Sequence, residues 1–346
     1  MTKVALITDI HFGAKKGSEV FLNSQIKFFK EQFIPHLKEA GIKTIFILGD
    51  FFDNRIYIDN RIMSNVLDIF NQELKHFDVH FIVGNHDSYH ESTIEINSVK
   101  IFDLFENAKI YQENTSIEFE GKSIYMCPWI TNNNKFLEEL KDLPFHDYCF
   151  GHFNFVNFKM FADRENDHGL DPTLFFDKFK LTISGHYHTR SSKKVNGNEI
   201  LYMGNPFHMT RNDIGDDRGY IFLDINTFEY EFFNNTKSIR YINVNYPDKV
   251  TEQDICYNHV DLYVNYTEDY DEMAVQKYLE KLESYSPAYP INLKVVNKID
   301  TGKIEDITEN INDVEELIKQ SFKHIEIENS EEVLGCILEL YSECNN

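Results

Sequence analysis

The residues able to do chemistry sit in five short pieces: TDIHFG at 8–13, GDFFDNR at 49–55, GNHD at 84–87, CFGHF at 149–153 and SGHYH at 184–188. Together they supply Asp9, His11, Asp50, Asn85, His86, Asp87, His152, His186 and His188. In an extended segment alternate side chains share a face, so His186 and His188 project together while Tyr187 points away. A lone His-x-His pair is most often two solvent-facing residues at a strand end. Here five polar pieces each close an apolar run, and histidine is the commonest metal ligand. The tetrapeptide GNHD alone should arise by chance in a chain of this length on the order of once in a thousand. One shared centre explains the set better than five accidents.

Two Asp, four His and one Asn suit two neighbouring divalent ions with a carboxylate between them. Two such ions bring four positive charges and the aspartates remove two, which favours an anionic phosphate ester. Mixed imidazole and oxygen donors favour Mn, Fe or Zn over Mg or Ca. A metal pair acidifies a water, clamps phosphoryl oxygens and steadies a leaving oxygen. His86, next to Asn85, is placed to donate to the phosphate or protonate the leaving group, with Asp87 as the partner that orients it.

The elements that must position these residues alternate in the first half of the chain. KVALIT (3–8), KTIFILGD (43–50) and VHFIVGNHD (79–87) read as buried strands. The spacing predicts helices over 18–40, with Ser18 as N-cap and Gly41 past its end, and over 60–77. Continuous apolar strands between helices imply a covered sheet whose ligands gather beyond the carboxyl ends of the strands. From about 109 strands dominate: 116–126 with a turn at Gly121, 147–151, 180–184, 194–204 with an NGN turn, 219–233 and 239–245. After Pro247 a strand, helix and strand form a small separate unit. Residues 305–343 read as two acidic helices with apolar stripes, a surface for a partner.

Composition narrows the setting. The 346 residues carry a net charge of −23. Residues 1–200 hold 22 Lys and Arg against 28 Asp and Glu, a net of −6, whereas 251–346 hold 7 against 22, a net of −15. The acidity is therefore C-terminal, and bound cations would leave the N-terminal part able to handle phosphate. Five cysteines without a CxxC pair suggest a reducing, cytoplasmic setting. The N-terminus turns polar too early for a signal peptide, and no run approaches a membrane span.

These motifs resemble the calcineurin-like metallophosphoesterase superfamily, whose pattern is D-x-H, GD-x-x-D, GNH-[DE], H and GH-x-H. Among its branches the chain most resembles the SbcD-type nuclease subunits, including the recombination endonuclease of large tailed phages. The resemblance implies an α/β fold, a four-layer αββα sandwich with a small α/β cap and C-terminal helices. It divides the chain into a nuclease domain (1–245), a DNA-capping domain (246–303) and a helical ATPase-binding tail (304–346). By resemblance one metal takes Asp9, His11, Asp50 and His188, and the other Asp50, Asn85, His152 and His186, with Asp50 bridging and His86 catalytic. Some branches carry a histidine where this chain has Asp53, so Asp53 is carried over only as a residue behind the ligands. The segment YMGNPFHMTR (202–211) matches the family's Gly-x-Pro stretch more loosely.

The implied activity is Mn-dependent hydrolysis of DNA, with Mg, Fe or Zn also compatible: 3′–5′ exonuclease on duplex ends and endonuclease on single strands or hairpins. The implied assembly is a homodimer with an SbcC-type ABC ATPase, since no GxxxxGK[ST] occurs in this chain. A small-molecule or cyclic-nucleotide phosphodiesterase is the alternative, although it would hardly need the residues after Pro206. A scaffold without catalysis would be expected to lack ligands, and none is missing. Lys15, Lys16, Arg190, Lys193, Lys194 and Arg211 are candidates for DNA phosphates, against ordinary solvated loops. Trp129, after Pro128, reads as core rather than as a platform for a base.

Overall fold

In the computed structural model, residues 2–161, 164–266 and 271–297 are described, with Val333, Leu334 and Ile337. Strand Lys3–Ile7 shows why its run is continuously apolar. Val4 and Leu6 pack into one core and Ala5 and Ile7 into another, so both faces are buried. Thr44–Ile47 repeats the pattern, with Phe46 on the first side and Ile45 and Ile47 on the second. These strands run parallel to each other and to Asp78–Ile82. The full sheet has six strands in the order Tyr230–Asn234, Gly219–Asp224, Lys3–Ile7, Thr44–Ile47, Asp78–Ile82, Ala108–Tyr111.

A second six-stranded sheet has the order Ser191–Val195, Asn198–Tyr202, Phe179–Gly185, His146–His152, Lys122–Cys127, Thr115–Phe119. Leu6, Phe46 and Ile82 of the first sheet share a core with Met126, Phe150 and Ile183 of the second. Helices close the outer faces. Asn60–Gln72 is capped by the Asp59 side chain and buries Ile62, Val66, Ile69 and Phe70, one stripe at helical spacing. Helix Asn133–Asp142, capped by Asn132, buries Phe136 and Leu140 against the second sheet's outer core. The result is the four-layer αββα arrangement.

Two elements differ from the sequence expectation. The helix over 18–40 is three pieces, Glu19–Phe28, a π-turn at Phe29–Phe33, and Ile34–Glu39. The π-turn keeps Phe29 and Phe33 both buried in the core. The small C-terminal sheet also begins earlier than Pro247. Tyr241–Asn245 pairs in parallel with His259–Tyr266, Tyr241 opposite His259, and Asn292–Asn297 completes it.

Residues Met1–Val264 and Asp271–Lys294 form one compact unit, and Asn265–Tyr270 with Val295–Asn346 the other. In the second unit Val333, Leu334 and Ile337 are helical. The rest of the acidic helices expected over 305–343 lies outside the described residues. Among the described residues no helix is long and apolar enough to cross a membrane.

Candidate metal centre

The five motifs converge where parallel strands of both sheets end. The backbone there is bent and cross-tied. Asp9, His11 and Asp50 have φ near 50°, and His186 has φ 85°, values uncommon for side-chain-bearing residues and concentrated at functional sites. Hydrogen bonds hold them: Asp9 N–H donates to the Gly49 carbonyl and His11 N–H to the Asp50 carbonyl. The His186 N–H reaches both Asp9 carboxylate oxygens at 3.1 Å. Two glycines are required by close approach. A Cβ on Gly84 would lie 2.2 Å from Asp50 Oδ1, and one on Gly185 would lie 2.1 Å from Thr8 Oγ1.

The side chains form two donor groups around one carboxylate. Asp9, His11 and His188 present atoms within 4.8 Å of one another, and so do Asp50, His152 and His186. In the first group, His11 Nε2 and His188 Nε2 are 3.2 Å apart. In the second, Asn85 Oδ1 lies 3.0 Å from both His152 Nε2 and His186 Nδ1. Asp50 faces both groups with one oxygen: Oδ2 is 3.8 Å from His11 Nε2 and 3.3 Å from His152 Nε2. Its other oxygen accepts the His86 N–H at 2.7 Å.

The donor chemistry fits divalent cations. His152 Nδ1 lies 2.7 Å from the Leu48 carbonyl, so it carries a proton, and Nε2 of the neutral ring is a lone pair. That lone pair converges with Asp50 Oδ2 and Asn85 Oδ1, three acceptors facing one point. A cation satisfies all three at once. Without one, the buried charges distort each other. Burial opposes charge on His152, but the Asp50 and Asp9 carboxylates outweigh it and hold its pKa up at about 9. Burial and the neighbouring His152 push His186 down to about 3. Burial raises Asp9, although His152 and His11 work against it.

The GNHD turn works differently from the sequence expectation. Asp87 does not orient His86. Its fully buried carboxylate accepts from the N–H groups of Phe51, Phe52 and Gly84 at 3.0, 3.1 and 2.9 Å. It therefore ties the GNHD turn to the GDFF turn. Burial and the Asp50 charge push its pKa up to about 6, although the amide donors pull the other way. His86 is oriented instead by the Asp53 carbonyl, 2.7 Å from Nδ1. The Asp53 carboxylate stands behind the first group, 3.2 Å from His11 Nδ1. The rings of His11 and His86 meet edge-on at 4.7 Å.

The family model for calcineurin-like phosphoesterases matches residues 2–190, which include every residue of both donor groups. The chain belongs to the calcineurin-like phosphoesterase family. It is 31% identical over 315 residues to exonuclease subunit 1 of Enterobacteria phage T4, covering 89% of this chain and 88% of that protein. A solved structure described as a novel archaeal phosphodiesterase covers 67% of this chain and 99% of its own, at 12% identity and a TM-score of 0.36. That likeness is too slight to carry an argument.

In this phosphoesterase three of the six basic candidates are already engaged. Arg190 is half-buried, bonded to Asn234 Oδ1 at 2.8 Å and stacked on Phe232. Lys194 pairs with Glu199 at 3.1 Å, and Arg211 pairs with Asp261 at 2.7 Å. These are structural contacts first, because each side chain would have to leave a local partner to reach a phosphate. Lys15, Lys16 and Lys193 stay exposed, with Lys15 beside the Tyr241 ring and Lys193 beside Phe158. Lys15 and Lys16 share a left-handed backbone at φ 59° and 57°.

Two residues near the phosphoesterase centre depart from the sequence reading, Arg218 because it was not singled out and Trp129 because it was read as core. Arg218 is buried, donates to the His188 carbonyl and to Asn205 Oδ1, and pairs with Asp213 and Asp216. It supports His188 through the backbone, and nothing in DDRGY marks it. Trp129 is the second. It is half-buried, not core, with its ring 5.0 Å from His186 and 6.0 Å from His152.

Proposed function

We propose that this protein is the nuclease subunit of a DNA-processing complex: a manganese-dependent phosphodiesterase that degrades duplex ends 3′ to 5′ and opens single strands and hairpins during recombination and double-strand-break repair. One observation carries the reading. The 31% identity to a phage exonuclease subunit extends over 89% of the chain, well past residues 2–190 that the family model matches. The length of that match also supports a cap at 246–303 that contacts DNA, and a tail at 304–346 that docks on an SbcC-type ATPase. A homodimer belongs to the same reading.

Asp9, His11, Asp50 and His188 hold one ion in this proposal, and Asp50, Asn85, His152 and His186 the other. When bound, the divalent pair supplies positive charge for the phosphate oxygens and acidifies the attacking water. The chain's own residues do the rest. Asp50 turns Oδ2 toward both donor groups, where it would help hold both ions, because Oδ1 is held by the His86 N–H. His86, pinned through Nδ1 to the Asp53 carbonyl, presents Nε2 to the phosphate and gives its proton to the leaving oxygen. Asp87 keeps the two turns in register and touches no substrate.

The test is cleavage of an end-labelled DNA hairpin by the purified chain in manganese, beside a nitrophenyl phosphodiester and an Asp50→Ala control. Cutting by the wild type and none by the variant supports the nuclease. Hydrolysis of the small ester with the hairpin left intact, even after the ATPase partner is added, contradicts it in favour of a small-molecule phosphodiesterase.

A further inference from the structure

A cavity of about 530 Å³ opens beside the metal centre, with Asn85 and His152 on its inner wall and Trp129, Arg55, Asn132 and Asn154 among its sides. It is a distinct space from the 270 Å³ recess on the other flank, which His186 and His188 share with Met209. A phosphodiester seated between the donor groups would thus have room on both sides; the first side offers the half-buried indole of Trp129, whereas the Tyr187 ring lining the second is buried and has little face to give. We propose that Trp129 is the stacking platform for the nucleobase next to the cleaved phosphodiester. The inference rests on the nuclease reading and names the subsite that reading lacks.

Three observations carry it. The first is the way Trp129 is held. Its backbone N–H donates to the Val83 carbonyl at 2.8 Å, so the main chain is fixed one residue before the GNHD turn while the ring faces the cavity. The second is distance. With the ring centroid 5.0 Å from that of His186, a base lying on the indole is one nucleotide's reach from the centre. The third is the chemistry of the remaining wall. The amide nitrogens of Asn132 and Asn154 offer donors to a base edge, their oxygens already accepting from the Lys135 N–H and the Tyr187 hydroxyl, and Arg55 offers charge to the next phosphate. Its present partner, Glu91, is an exposed residue whose ion pair is readily exchanged. A cavity of this volume is in the range that holds a nucleotide. Stacking on an indole accepts any base, which suits an enzyme that must proceed along a strand regardless of sequence.

Trp129 is the sole tryptophan of the chain, so its fluorescence reports on this subsite alone. In wild-type protein with calcium in place of manganese, deoxynucleoside monophosphates should quench the emission saturably, and deoxyribose 5-phosphate should not. Equal quenching by both, or by neither, overturns base stacking. On a single-stranded oligonucleotide in manganese, Trp129→Ala should raise KM about tenfold, the order expected for one stacked base, and Trp129→Phe should recover most of it. An abasic residue beside the cut should raise the wild-type KM by a similar factor and add little to that of Trp129→Ala. Full additivity of the two losses contradicts a shared contact. If the wild type leaves DNA uncut even with the ATPase partner added, the nuclease reading fails, and the quenching by mononucleotides still decides the subsite on its own.

Discussion

The strand-end centre and the basic rim were assigned by the same reasoning from residue type, yet they behave differently. Around the centre the candidate ligands gather in two groups, and three of them are braced from behind. His152 leans on Leu48, Asp50 on the His86 amide, and Asp9 on the His186 amide. On the rim, Arg190, Lys194 and Arg211 have local partners of their own. A buried polar group must be satisfied or it costs stability, so its position reveals its use. An exposed lysine carries no such obligation.

This contrast can be broken or sharpened by substitution. The largest effect is expected at the centre's working atom. His86→Ser should lower cleavage by a factor on the order of 10² to 10⁴, the usual contribution of a positioned proton donor, and manganese content should be unaltered. A variant that cleaves at nearly the wild-type rate removes His86 from the mechanism. Next comes the brace. Asp87→Ala leaves the N–H groups of Phe51, Phe52 and Gly84 without their acceptor, and each unsatisfied buried amide costs about 1–3 kcal/mol. Thermal melting should therefore fall by several degrees or more. An unchanged melting temperature would show that Asp87 does not hold the turns together.

A buried histidine away from the centre gives a milder, pH-dependent effect. Burial, helped by the Lys109 charge, pushes His80 down to about 4 from an ordinary value of 6.5. The folded protein thus binds this proton less readily than the unfolded chain does. Stability from this group is complete above pH 6.5 and declines as pH falls toward about 4, by at most about 3 kcal/mol. Denaturation midpoints at pH 7 and pH 4.5 should show the decline, and His80→Leu should reduce it. A slope unaffected by the substitution would contradict the assignment. The smallest effect belongs to the rim. Replacing Lys15 and Lys16 together with Ala should lower the salt dependence of DNA binding by one or two phosphate equivalents. Lys194→Ala, which only loses Glu199, should leave it unchanged. Equal effects from both would erase the distinction drawn here.

The sequence exposed the centre because its ligands follow strands, and strand ends can be found from apolar runs and glycines. The strands and most of their helices were legible in the same runs, whereas the αββα class came with the family resemblance. What stayed hidden depends on long-range register. Asp87 looked like a partner for its neighbour His86, whereas two of the N–H groups its carboxylate accepts lie 36 and 35 residues away at Phe51 and Phe52. Arg211 finds Asp261 fifty residues on, and no local pattern announces that pairing. Trp129 follows the buried strand Lys122–Cys127 and was read as core for that reason. Its exposure is set by Val83, a residue of the other sheet. The π-turn at Phe29–Phe33 was equally invisible, since its sequence is compatible with an unbroken helix.

The central claim is that one carboxylate, Asp50, holds two metal ions together. The most direct measurement is the number of manganese ions bound per chain, by calorimetric titration of metal-free wild type and of Asp50→Ala. Two ions in the wild type, and loss of at least one with a weakened second in the variant, is the predicted result. A single ion in the wild type, or two bound with unchanged affinity when Asp50 is gone, would contradict it.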